Sequence, residues 1–174
     1  MIRNVLLLSS TLVLPTSAST TFFNNFPYNG YGYFVCGTAA CGATKSPAMQ
    51  FIPGVAGTTS KVSLSISPET GSQSSNVQIL LRADKNGLPG KVLAKKNAAG
   101  QTCCVTTTVK MAVGLTGGTP YWLEVAPRTT NDSALWQISD SSDACTVAED
   151  YEGTGWTTYS TQVCPAAKIV GEIK

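Results

Sequence analysis

The chain holds six cysteines and no histidine, and that combination limits the chemistry its side chains can perform. A serine or cysteine nucleophile would lack the imidazole that ordinarily takes its proton. A thiolate zinc site would have no histidine to share and no Cys-x-x-Cys spacing to start from. The chemistry left to these cysteines is pairing with one another. Cys36 and Cys41 enclose "GTAA", Cys145 and Cys164 bracket "TVAEDYEGTGWTTYSTQV", and Cys103 and Cys104 are adjacent in "GQTCCVTTTVKM". Fifteen pairings exist in principle. Local spacing favours Cys36–Cys41 and Cys145–Cys164, which leaves Cys103–Cys104 as a vicinal disulfide or as two bridges to other partners. A vicinal bridge distorts the connecting backbone, so it belongs just before the strand ladder begins at Val105.

Carboxylates offer two further chemistries. Asp84 and Asn86 fall at alternate positions before Gly87 in "DKNGLPG", as calcium loops begin, but the third oxygen ligand and the closing glutamate are missing. The tight-turn reading is preferred there, because Asn-Gly supplies positive φ and Pro89-Gly90 redirects the chain. Asp140 and Asp143 open an acidic loop, "DSSDACTVAEDYEG", which is the other candidate for calcium. Calcium is thus the one cofactor left open, and none is required. A pair of acids working on a sugar is the enzymatic option. Glu124 is the glutamate in a confident strand, with Trp122 rather than a second acid on its face, and Glu172 is its partner only if the sheet brings the two together. A solvent-facing strand charge is the simpler reading of Glu124.

Export is written at the start. "MIRNVLLLSSTLVLPTSA" has Arg3, an apolar run from Val5 to Leu14 and small residues at Thr16 and Ala18, the layout of a cleavable signal peptide over residues 1–18. Ser9, Ser10 and Thr11 interrupt the run, which is far shorter than the ~20 residues of a spanning helix. The exported portion, residues 19–174, is long enough for one domain. Without Arg3, the twelve Lys and Arg fall to eleven against ten Asp and Glu, scattered along the chain. That pattern argues against nucleic acid, and no membrane insertion is expected after cleavage. In an oxidising compartment the cysteines read as disulfides.

The elements that must position these residues are strands. "KVSLSIS" sets Val62, Leu64 and Ile66 against Ser63, Ser65 and Ser67, and "NVQILLRAD" turns Val77, Ile79 and Leu81 inward. "VTTTVKMAV" alternates from Val105 to Val113, "YWLEVA" puts Tyr121, Leu123 and Val125 inward with Trp122 and Glu124 outward, and "ALWQIS" offers Trp136 and Ile138 to the core. Period two with turn residues at short intervals, and no amphipathic helix, predicts about ten strands in an all-β, antiparallel two-sheet sandwich of jelly-roll type.

Three segments, "NVQILLRADKNGLPGKVLA", "TCCVTTT" and "GLTGGTPYWLEVAP" with "SALWQI" after it, together resemble exported bacterial domains known as choice-of-anchor domains, of the R type or a near relative. "FFNNFPYNG" and "GWTTYSTQVCPAAKIVG" extend the likeness over nearly the whole exported portion. The resemblance implies a secreted or surface-displayed all-β module, joined in many relatives to a C-terminal anchoring signal, and brings no catalytic residues. The close of this sequence, "CPAAKIVGEIK", is neither a sorting tail nor a membrane span. Trp122, Trp156, Tyr159 and Tyr31 are the candidate ligand-binding residues, because exposed rings beside Asn and Gly suit glycan recognition. The expectation is a non-catalytic extracellular binding or adhesion module whose partner is a glycan or cell-surface polymer. A carbohydrate-active enzyme using paired carboxylates is the alternative.

Overall fold

The computed structural model describes residues 18–69, 75–101, 105–141 and 144–173. Cys103, Cys104, Asp143 and nearly all of the expected signal peptide lie outside them, so the vicinal bridge and that calcium candidate fall beyond the described residues. The chain runs β1 (Ser19–Asn24), β2 (Tyr28–Cys36), α1 (Thr38–Cys41), β3 (Lys45–Phe51), β4 (Gly57–Pro68), β5 (Asn76–Lys85) and β6 (Leu88–Ala99). It continues through β7 (Thr106–Lys110), β8 (Gly114–Leu115), β9 (Tyr121–Pro127), β10 (Ser133–Ser139), β11 (Ala144–Tyr151), β12 (Trp156–Val163) and β13 (Ala167–Ile173). The protein is nearly all β, and its ladders are antiparallel.

β4 pairs with four other strands. Its first two thirds pair with β13 on one side and with β7 and β8 on the other, while Ile66 to Pro68 pair with β10. From β10 the order continues through β2, β3, β9 and β5 to β6. Alternation then does what period two requires. Val62 and Leu64 of β4, Ile169 of β13, Ile79 and Leu81 of β5, Leu123 and Val125 of β9 and Trp136 of β10 are all fully buried in one cluster. Each such side chain contributes roughly 1.5–3 kcal/mol by leaving water. At the β5–β6 turn Asn86 has φ 57° and Gly87 φ 78°, the left-handed pair that the sequence NG supplies, and it sets Lys85 opposite Leu88.

Four readings need correction. Trp122 and Glu124 do not face solvent: they are 0% and 4% exposed. The sheet curls until β12 runs close to β6, so the face turned away from the main core is itself enclosed around Ala48, Trp122 and Ala148, with Trp156 packed against them. Ser65 and Ser67 are buried too, because β4 passes there from one ladder to the other, and Ser65 hydrogen-bonds Gln137 of β10. Val105 is exposed, and its strand begins only at Thr106. The acidic segment is no loop beyond Ala144: it forms β11, whose alternation sends Glu149 and Asp150 to opposite faces.

Candidate functional site

β11 and β12 form a hairpin whose base is fixed by the Cys145–Cys164 disulfide, with Cα atoms 5.4 Å apart. Cys36–Cys41, with Cα atoms 6.0 Å apart, likewise closes the turn that holds α1. β11 pairs on its other side with β3, setting Val147 opposite Met49 of the core. Val147 also faces Tyr159 of β12, so the side of the hairpin that continues the core surface carries a tyrosine. β2 approaches this side, and its Tyr33 hydroxyl donates to the Val163 carbonyl at 2.9 Å.

Between these strands lies a cavity of about 300 Å³ lined by Tyr33, Val147, Glu149, Tyr159 and Gln162. Val147 is buried and floors it, while Tyr159 is 44% exposed. Burial first, and the charge of Glu149 second, hold the Tyr33 phenol above its ordinary value of 10.0. Tyr33 therefore stays a neutral hydroxyl throughout the physiological range. The groove offers two flat rings, a carboxylate acceptor and an amide that both donates and accepts.

The sequence-stated binding residues divide between this groove and other places. Tyr159 lines it. Tyr31 lies on β2 two residues before Tyr33, within the stretch where the β2–β10 register shifts, and is 78% exposed. Trp122 and Trp156 lie on the enclosed face instead. Trp122 Nε1 donates to Asp84 Oδ1 at 2.7 Å, and the Arg82 guanidinium lies 5.6 Å from the Trp156 ring centroid. Trp122 is thus corrected from an exposed ligand contact to an interior residue. Tyr33, Glu149, Val147 and Gln162 were missed. The spacings Tyr31/Tyr33 and Val147/Glu149 are visible as i, i+2 pairs, but the register that joins them is not.

The carboxylates resolve similarly. Asp84 accepts from Trp122 and Gln50 on Oδ1 and from the Gly87 amide on Oδ2, the contacts of a turn-anchoring group. Asn86 occupies the left-handed turn position, and Asp140 is an exposed bend residue whose amide donates to the Pro27 carbonyl. Among the described residues no three acidic, cysteine or histidine side chains converge. Glu124 is ion-paired with Arg82 Nε. Glu172 sits on β13, which shares no ladder with β9, and lines a different cavity with Lys96 and Lys110. Among the described residues no helix is long and apolar enough to cross a membrane. No protein-family model matches the chain, and no curated protein matches it.

Proposed function

We infer that the chain is a secreted, non-catalytic β-sandwich module that binds carbohydrate on an extracellular or cell-surface polymer through the groove of Tyr33 and Tyr159. The observation that carries this reading is two tyrosine rings flanking one cavity with Glu149 and Gln162 at its edge. Sugar rings present apolar C–H faces to aromatics and hydroxyls to carboxylate and amide groups, and this cavity offers both. A jelly-roll-like sandwich is supported by one core that draws side chains from the β13–β4 ladder and from the β3–β9–β5 ladder. Export is supported by the leader pattern and by two disulfides. The resemblance of the sequence to choice-of-anchor domains supports the same reading of an exported all-β module. The binding reading is favoured over a paired-carboxylate glycosidase because Glu124 is enclosed and held by Arg82.

A glycan array followed by calorimetry tests it. Tyr159→Ala should weaken the best neutral ligand at least about tenfold, equivalent to about 1.4 kcal/mol, with unchanged melting temperature. Unchanged affinity in that variant would remove the groove from the reading, and release of reducing sugar from any bound polymer would remove the word non-catalytic.

A further inference from the structure

Lysines that are far apart in the sequence meet on one face of the fold. Lys61 of β4 lies directly opposite Lys110 of β7, and Lys168 of β13 lies opposite Ser63, two residues along β4. All three point away from the core that Val62, Leu64 and Ile169 fill, and all are exposed. Beyond β7 comes β6, tied to it by the Thr107 hydroxyl on the Ala99 carbonyl at 3.4 Å. Lys96 of β6 and Lys110 line the same cavity of about 420 Å³, with Thr58, Ser60 and Glu172. A neighbouring cavity of about 340 Å³ is lined by Lys168, Ser63, Thr106 and Asn24, with Phe26 as its ring. The ion pair among the described residues is Arg82–Glu124, and none of these four ammonium groups forms one there.

Like charges directly opposite on adjacent strands destabilise a sheet. A pair such as Lys61 and Lys110 becomes favourable when an anion sits between them. Lys110, Lys61 and Lys168 stand on three successively laddered strands, β7, β4 and β13, at the ~4.8 Å strand spacing, close to the length of a single sugar residue. Lys96 of β6, which among the described residues shares no ladder with β7, joins them through the cavity it lines with Lys110. We propose that this face docks a linear acidic polysaccharide, with successive uronate carboxylates meeting Lys96, Lys110, Lys61 and Lys168 and sugar hydroxyls meeting Thr58, Ser60, Ser63 and Thr106. The hydroxyl-rich lining of the two cavities, with Phe26 as its single ring, favours sugar over single-stranded nucleic acid, which stacks successive bases on several rings. Glu172 is the acid on the rim of the larger cavity and fixes the end at which a carboxylate is disfavoured. The site is distinct from the tyrosine groove and does not depend on it.

Calorimetry with polygalacturonate on the purified chain tests the proposal. Binding should be present in low salt and about tenfold weaker near physiological ionic strength, where exposed charges are screened beyond ~8 Å. Lys61→Gln should weaken it at least tenfold while raising the melting temperature, since it relieves the like-charge pair. Lys96→Gln, whose ladder neighbour is Ile79, should weaken it without that gain. Lys85→Gln removes the same charge from the β5–β6 turn and should leave binding intact. Absence of binding in low salt, equal loss in all three variants, or equal affinity for dextran or for single-stranded DNA would each overturn the proposal.

Discussion

Asp84 takes its three hydrogen bonds from a tryptophan on β9, a glutamine on β3 and a turn amide after β5. One carboxylate therefore locks three elements, and Trp122 is its strongest buried donor. Trp122→Phe keeps most of the ring volume but removes the donor, and should cost about 1–3 kcal/mol. Trp122→Ala also opens a cavity and should cost about 3–5 kcal/mol. Urea denaturation distinguishes them, and equal losses would mean that the hydrogen bond adds nothing. Glu124 behaves differently. Burial pushes its carboxyl above the ordinary 4.5, the Arg82 bond and charge pull it back, and the charge of Asp150 raises it again. A carboxyl raised in the folded state binds its proton more tightly there than in the unfolded chain. Its stabilising contribution is full below pH 4.5 and is lost as pH climbs through the raised value. Glu124→Gln cannot ionise, so its melting temperature relative to the parent should rise as pH climbs from 4.5 through the raised value. Parallel melting curves across that window would show that Glu124 does not titrate differently on folding.

The β11–β12 hairpin carries one wall of the groove, and the Cys145–Cys164 bridge closes a separation of 19 residues around it. On chain-entropy grounds, Cys145→Ser with Cys164→Ser should cost about 3 kcal/mol. The same change should weaken any ligand held by Tyr159, since the bridge fixes where β12 ends beside Tyr33. A double variant with full stability in thermal melts would contradict this. The β4–β13 ladder has a tighter constraint. A Cβ on Gly171 would come within 2.0 Å of the Thr58 carbonyl oxygen and 2.8 Å of the Phe22 ring, just where the register shifts after Val170. Gly171→Ala should therefore destabilise by at least about 1–3 kcal/mol, the usual cost of overpacking, measured by the same denaturation. Much at this scale was legible in the sequence. Val62, Leu64 and Ile66 and the NG turn declared β4 and the β5–β6 hairpin through period and backbone chemistry. The strand β11 was hidden because its acidic residues mimic a solvated loop. They are tolerated because Glu149 borders the groove and Asp150 answers the Gly155 amide.

At the scale of the whole molecule, period two could not say that one sheet would be covered on both faces. Trp122 was assigned outward by the parity that placed Leu123 inward, and the parity was right. What it lacked was the curl that brings β12 toward β6, a property of strand twist summed over six strands rather than of any one segment. Scattered lysines likewise gave no basic stripe in sequence, because the ladders that gather Lys61, Lys110 and Lys168 join strands far apart along the chain. One pairing described above also governs how the fold bears load. β1 lies along β13 in antiparallel register, with Ser19 beside Glu172, so the first and last strands leave the body side by side. A pull applied through those two ends opens their ladder one hydrogen bond at a time, as a zipper parts, instead of shearing several bonds at once. A tether drawn taut between the two ends would peel β1 away at low force, while β4, clasped between β13, β7 and β8, would hold.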